Sequence, residues 1–274
     1  ALKREEQCEA RICEWRQKVL PVWDRVKDGK RLTQLVREGI PSSIRREAWV
    51  RMVGNDLGVD ADTYERLVQS EELKGDTERL LSVDLPRTFP DLKFFHDNGP
   101  TEKALHDTLV AFAVFKPEIG YVQGMSYLAA VLLLFLTPEE AFRCFANILS
   151  KPFYADFYRL DRSRIDGHIA AFDHAFQRNL PLLYNHFQQE GIQTEQFLLD
   201  WALKHFSRAL PLETATRIWD NYLLEGHAFL FLAALCTLRV FAPTLSTMTL
   251  EEILPCLQTP RLTLDFEAKL FDAL

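Results

Sequence analysis

Apolar residues recur at helical spacing along most of the chain. Near the N-terminus, Cys8, Ile12, Trp15 and Val19 follow one another at steps of four, three and four residues. Side chains at these steps lie on one face of an α-helix, so the stripe predicts an amphipathic N-terminal helix. We find no pair of runs that alternates apolar and polar residues around a turn, which is the pattern of a β-hairpin.

Residues that favour helix ends lie where the apolar pattern starts and stops. In TPEEAF, Thr137 suits a helix cap, Pro138 suits the first helical position, and Glu140 completes a capping box. Farther on, Pro211 is placed to open a helix and Gly226 to end it. These signals predict an all-α protein with a dozen or more helices. Periodicity is lost near residues 151–165, where we expect a seam between two helical subdomains.

Composition narrows the class of protein. The chain has 274 residues, of which 47% are hydrophobic and 26% charged, and its net charge of −7 argues against a nucleic-acid partner. The five cysteines form no CxxC pair, which favours free thiols in a reducing cytosol over a disulfide framework. The apolar runs Tyr127–Leu136 and Ala228–Leu238 are shorter than the roughly 20 residues of a membrane span, so we expect no transmembrane segment.

Motifs of self-sufficient enzymes are missing from the sequence. It has no GxxxxGK[ST] phosphate loop, no HExxH metal motif and no GxSxG nucleophile motif, and its seven histidines are scattered. We therefore expect neither a nucleotide site nor a metal site of its own.

The stretch GYVQGMSY, residues 120–127, places Gln123 between two glycines and before a predicted helix. Glycines allow the backbone to approach a ligand or a partner closely. Free N–H groups at a helix start favour anions, and a carboxamide there is able to bond a phosphate-bound water. The alternative is that Gln123 only satisfies backbone groups of its own turn.

A second unusual stretch, LLSVDLPRTFP, contains Arg87 between two prolines. Because each proline disfavours the helical conformation in the residue before it, we expect Arg87 on a stiff, non-helical loop. Stiffness lowers the entropy lost when an arginine engages its target. Asp84 is placed to orient Arg87 by a charge-assisted hydrogen bond. The alternative is an ordinary surface ion pair.

Together these stretches resemble the TBC domain family, the GTPase-activating domains for Rab GTPases. LSVDLPR at residues 81–87 is similar to the arginine motif of that family, and YVQG at residues 121–124 to its glutamine motif. REGIPSSIRREAW resembles the opening signature of the family, and LPLETATRIWDNYLLEGHAFLF resembles a later one. The resemblance runs from about residue 35 to at least residue 240.

The resemblance implies catalysis in trans. Arg87 would act as an arginine finger on a Rab that carries its own GTP and Mg²⁺, and Gln123 would position the attacking water. Asp84, Tyr121 and Gly124 would support the two catalytic loops. Residues 35–274 would form the domain, and residues 1–34 a helical extension packed on it. The expected setting is vesicle trafficking, with a cytoplasmic protein recruited to endomembranes.

Four further residues of the family pattern are expected to have structural roles. We expect Arg45 and Trp49, one helical turn apart, to stack or bond within the core, and Trp219 to be a core residue. Asp220 is placed to bond a buried backbone group or an arginine, the alternative being a catalytic role.

Two questions stay open at the level of sequence. Phe94 and Phe95, just past the arginine stretch, are either core anchors or part of a rim that faces a partner. The rival to the activator hypothesis is a scaffold that binds a Rab without accelerating hydrolysis. An all-α enzyme with its own substrate pocket has no motif in its support.

Overall fold

The computed structural model describes residues 2–70, 75–95, 99–159, 161–260, 263 and 265–274, without the side chains of residues 2–5, 7 and 76. Every regular element within these ranges is a helix, which confirms the all-α prediction. The α-helices are α1 Leu2–Glu14, α2 Trp23–Val26, α3 Lys30–Arg37, α4 Ser42–Val53, α5 Ala61–Val68, α6 Gly75–Asp84, α7 Glu102–Phe115, α8 Met125–Leu133, α9 Pro138–Leu149, α10 Pro152–Tyr158, α11 Arg162–Asn179, α12 Pro181–Gln189, α13 Glu195–Leu203, α14 Leu212–Glu225, α15 His227–Leu245, α16 Leu250–Gln258 and α17 Phe266–Ala273. The remaining elements are a π-helical turn, Trp15–Val19, and two 3-10 turns, Leu20–Val22 and Leu85–Arg87.

The predicted helix ends are confirmed where capping chemistry marked them. At the start of α9, the Thr137 amide donates to the Glu140 carboxylate at 3.1 Å, and the Glu140 amide donates to the Thr137 hydroxyl at 3.4 Å. Pro211 precedes α14, and Gly226 follows it with a φ of +82°, a conformation that suits glycine. Local side-chain chemistry therefore sets these boundaries.

The N-terminal stripe reaches the core through its second half. Trp15 and Val19 are buried, whereas Cys8 is exposed. On the same helix, Arg11 donates from Nη2 to the carbonyl of Glu38 at 3.0 Å, which ties α1 to the segment before α4. The boundary between an extension and a domain at residue 35 stays a prediction.

The centre of the core is α8, whose nine residues are all buried. It packs against α7 and α9, and α6 packs on α7. The turn that carries Gln123 lies directly before α8, and the turn that carries Arg87 lies directly after α6. Both sequence motifs are therefore attached to helices that the core holds in place.

Two expectations about the second half of the chain need adjustment. The apolar run at residues 228–238 belongs to α15, which is long and apolar enough to cross a membrane. Core helices of soluble proteins often have the same length and composition. Half of the apolar window in α15 is buried, and the helix packs against α14 and α17. Residues 151–165 are largely helical, in α10 and α11, and residue 160 lies outside the described residues. A subdomain seam there stays a prediction.

A buried ion pair joins α4 to α14. Asp220 is fully buried, and its carboxylate accepts from Arg45 Nε and Nη2, both at 3.1 Å, and from Trp49 Nε1 at 2.7 Å. The Ile40 amide donates to the same carboxylate at 3.1 Å. Trp49 stacks on Trp219 with ring centroids 5.5 Å apart. All four residues that the sequence assigned to the core thus meet in one cluster.

This cluster generates a stability prediction. In Asp220→Asn, Arg45 keeps its buried charge without a carboxylate partner, so we expect the free energy of unfolding to fall by about 3–5 kcal/mol. The matched control is Asp24→Asn, because Asp24 pairs with Lys27 but its side chain is 89% exposed. Urea unfolding should show a change of less than about 0.5 kcal/mol for the control. Equal losses for both variants would contradict a special role of the buried pair.

Candidate functional site

Arg87 and Gln123 lie on one groove. Arg87 ends the 3-10 turn that continues α6, and Gln123 lies in the turn before α8. Both side chains are exposed, and both line a groove with a volume of about 820 Å³. Two segments that are 36 positions apart in sequence therefore present one cation and one amide to the same space.

Asp84 connects the two turns. Its side chain is buried and accepts from the hydroxyl of Tyr121, from the Gly124 amide at 2.8 Å and from Ser126 Oγ at 3.2 Å. Burial, and after it the hydrogen bond to Asp84, raises the pKa of the Tyr121 hydroxyl well above its ordinary value, so this group stays protonated and donates. A carboxylate at the end of α6 thus anchors the glutamine turn at three points.

Two more contacts run between the turns. Tyr127, in the first part of α8, donates from its hydroxyl to the Arg87 carbonyl at 2.8 Å. Thr88 Oγ1 lies 2.6 Å from Ser126 Oγ, which is itself bonded to Asp84. The backbone on both sides of the Arg87 side chain is therefore held against α8.

The arginine segment differs from expectation in two ways. Arg87 lies in a 3-10 turn and not on a non-helical loop; the unusual backbone comes two residues later, at Phe89, with a φ of +48°. Among the described residues, Asp84 makes no hydrogen bond to the Arg87 guanidinium; its Oδ2 accepts instead from Tyr121, Gly124 and Ser126. With the residues that the structure describes, the Arg87 guanidinium makes no hydrogen bond or ion pair, so the surface ion-pair alternative finds no support either.

The backbone conformation and surroundings of Gly124 explain why the residue after Gln123 is a glycine. Its φ is +94°, a region that side chains with a Cβ rarely adopt. A Cβ built at this position would lie 2.7 Å from Cε of Lys204. In this structure a side chain of the same protein approaches the glycine closely, whereas the sequence suggested an incoming ligand or partner.

Sequence reasoning missed the third wall of the groove. Lys204, Ser207 and Arg208, which follow α13, line it together with the two motif turns. Lys204 and Arg208 both bond Oδ1 of Asp200, the latter at 3.3 Å. The four-residue spacing of Asp200 and Lys204 was a signal for an ion pair on a helix, but nothing local placed it beside Gly124.

The third wall is a strained turn. Two consecutive residues, His205 and Phe206, have positive φ angles of +45° and +61°, which cost energy in residues other than glycine. His205 is fully buried, bonds the Tyr154 hydroxyl through Nε2 and lies edge-on to Trp219. Trp219 also donates from Nε1 to Ser207 Oγ at 3.1 Å. The core cluster therefore supports this wall from behind.

The other predicted residues lie outside the groove. Arg45, Trp49, Trp219 and Asp220 do not line it, although Trp219 contacts it through Ser207. The open question about the two phenylalanines has a split answer, since Phe95 is buried and Phe94 is 49% exposed.

As to metals, the described ranges contain no group of three histidine, cysteine or acidic side chains with the spacing to hold an ion.

Similarity to known proteins agrees with the motifs. Residues 42–246 match the Rab-GTPase-TBC domain family. The chain is 35% identical over 270 residues to TBC1 domain family member 12 of Xenopus tropicalis, covering 90% of this chain and 40% of that protein. It is 34% identical over 269 residues to TBC1 domain family member 14 of Rattus norvegicus, covering 90% and 39%. It thus spans about two fifths of the length of these relatives.

Solved structures share the fold. The Chlamydomonas flagellar RabGAP TBC domain superposes with a TM-score of 0.80 at 24% identity, covering 99% of this chain and 93% of that one. The Ypt/Rab-GAP domain of Gyp1p superposes with a TM-score of 0.77 at 20% identity, covering 97% and 96%. At such identities the likeness shows the helical architecture.

Burial of His205 predicts a pH dependence of stability. Burial lowers the pKa of His205 well below its ordinary value of 6.5, so the folded protein keeps the imidazole neutral while the unfolded chain takes up a proton. The stability that this neutral imidazole contributes is present above about pH 6.5 and is lost as the pH falls, by about 1.4 kcal/mol per pH unit.

The measurement compares unfolding free energies of the native protein and His205→Gln between about pH 7.5 and pH 5. In His205→Gln, the free energy of unfolding should depend less steeply on pH, by about 1.4 kcal/mol per pH unit below pH 6.5. His174→Gln, which changes an exposed histidine, should leave this pH dependence as it is. Parallel curves for the native protein and His205→Gln would show that His205 does not titrate on unfolding.

Proposed function

Because the chain belongs to the Rab-GTPase-TBC domain family, we propose that it accelerates GTP hydrolysis on a Rab-family GTPase. The observation that carries this proposal is the pairing of Arg87 and Gln123, exposed on one groove and tied together through Asp84. A slow GTPase lacks an arginine that neutralises charge on the transferred phosphoryl group, and in this family the domain also supplies a glutamine that takes over positioning of the attacking water from the GTPase's own.

In this proposal Arg87 is the arginine finger. Negative charge on the transferred phosphoryl oxygens is incompletely neutralised in a GTPase alone, and a guanidinium from a partner is worth about 10³–10⁵ in rate, or roughly 4–7 kcal/mol. The unpaired and exposed state of the guanidinium supports this role, because no existing bond with a described residue has to break before it engages a phosphate. Its backbone is meanwhile fixed by the Tyr127 bond.

Gln123 positions the attacking water in the same proposal. Its turn is held by the Gly124 amide on Asp84, so the exposed carboxamide projects from a fixed base. Such fixing matters, because a catalytic group displaced by about 1 Å loses much of its effect. The GTPase brings both GTP and Mg²⁺, and the chain needs no cofactor of its own.

We place this activity in vesicle trafficking, in the cytoplasm, with recruitment to endomembranes through the GTPase. Family membership supports the partner class. The long remainder of the relatives, about three fifths of their length, has no counterpart in this chain. We propose that the surface that meets the switch regions of the GTPase selects one Rab.

The glutamine assignment is tested by Gln123→Ala. We expect GTP hydrolysis on a responsive Rab to slow by at least about tenfold at saturating domain, because water positioning is lost, while the melting temperature stays close to that of the native protein. Gln188→Ala, which changes an exposed glutamine on α12, is the matched control and should leave both quantities unchanged. A lower melting temperature with full activation would mean that Gln123 merely caps its turn.

The arginine assignment is tested by shape as well as charge. Arg87→Lys keeps a positive charge but loses the planar fork of donors, so we expect single-turnover hydrolysis to drop on the order of 10²-fold or more, close to Arg87→Ala. Affinity for the GTP-loaded Rab should change much less, since the finger acts chiefly in the transition state. The control is Arg178→Lys on the exposed surface of α11.

A panel of purified Rabs decides between the activator and the scaffold. An activator shortens the lifetime of GTP on at least one Rab, and Arg87→Lys abolishes that effect. A scaffold binds a GTP-loaded Rab and leaves its rate of GTP hydrolysis unchanged. In that case Arg87→Lys changes the affinity for the Rab or has no effect.

A further inference from the structure

Lys204 lies directly against the glutamine turn. Its side chain is only 17% exposed, and its Cε occupies the space that a Cβ on Gly124 would need, at 2.7 Å. A lysine stem of four methylene groups is an apolar surface that packs well against backbone. The Gly124 turn is thus bonded to Asp84 on one side and covered by the Lys204 stem on the other.

The same side chain touches the support of the arginine turn. Lys204 Nζ lies 5.7 Å from the centre of the Tyr127 ring, within the range of a cation–π contact. The hydroxyl of that ring donates to the Arg87 carbonyl. One lysine therefore contacts Gly124, next to Gln123, and the tyrosine that holds the backbone of Arg87.

The ammonium group is engaged within the protein. Nζ donates to Oδ1 of Asp200, one helical turn earlier, and Arg208 Nη1 donates to the same oxygen at 3.3 Å. The Asp200 side chain is 20% exposed, so the pair is partly shielded from water. This ion pair fixes the direction of the stem, because it holds the far end of the lysine back toward α13.

We infer that Lys204 is a positioning residue: its stem covers the Gln123 turn and its ammonium, held by Asp200, lies against the Tyr127 ring, and together these contacts keep Gln123 and Arg87 in the arrangement that presents both side chains. The inference rests on the proposed function for its effect on hydrolysis. It assigns the work to the methylene stem and to its anchoring on Asp200, and not to contact between the ammonium and the GTPase.

The test compares Lys204→Ala, which removes the stem, with Lys204→Met, which keeps an apolar stem of similar length. Lys204→Ala should slow hydrolysis at saturating domain by about tenfold or more, because a small displacement of a catalytic group is costly, while the concentration for half-maximal effect changes less than about twofold. Lys204→Met should recover part of the lost rate, because it restores the stem but neither the bond to Asp200 nor the cation next to Tyr127. Lys269→Ala removes a lysine from an exposed Asp265–Lys269 pair of the same spacing and should have no effect.

A second measurement does not depend on catalysis. The Gly124 amide is buried against Asp84, so its hydrogen exchange reports how well the turn is held. Exchange should accelerate by at least about fivefold in Lys204→Ala and stay close to native in Lys204→Met. Unchanged exchange in Lys204→Ala would overturn the inference.

The outcomes separate the two proposals. If Lys204→Met is as slow as Lys204→Ala and both bind the Rab more weakly, the ammonium contacts the partner and the positioning role is wrong. If the native domain accelerates no Rab, the proposed function fails, while the exchange measurement still judges whether Lys204 holds the turn.

Discussion

The groove depends on a single carboxylate at the end of α6. Asp84 takes three hydrogen bonds from residues 121–126, and the peptide that follows it carries Arg87. A buried carboxylate is stable only when such donors surround it, so the charge of Asp84 requires the glutamine turn to stay in place. The two exposed groups are thus positioned relative to each other by a charge that neither of them touches.

Behind this site lies a second buried carboxylate, and an aromatic pair links the two regions. Trp219 stacks on Trp49, which donates to Asp220, and it also donates to Ser207 in the groove wall. Rigid aromatic packing transmits displacement rather than absorbing it. Damage to the core cluster should therefore reach the third wall of the groove first, through the strained turn at His205 and Phe206.

The sequence predicted many of the features that depend on local chemistry, although it missed the 3-10 turn at Arg87. Periodicity and caps identified the helices, as at Thr137 and Glu140, because those bonds join residues three apart. The resemblance to the family identified the two motif residues, and the structure places both on one groove. Prediction from the residues alone stopped where contact is long-range. It matched Asp84 with the nearest arginine in sequence, whereas Asp84 accepts from Gly124, a residue that only the family resemblance had assigned to the same support of the loops. Lys204 carried no sign of its place beside that glycine.

The exposure of Arg87 and Gln123 has an evolutionary consequence. In the part of the chain that the structure describes, neither side chain makes a hydrogen bond that the fold needs, and an exposed side chain of this kind is replaced at little cost in stability. Under the roles proposed for these residues, a single codon change at either position would weaken GTPase activation and leave the folded groove intact. If the proposed function holds, a duplicated gene for such a chain is one substitution away from a protein that binds a GTPase without activating it, and selection for binding and for activation acts on separate residues.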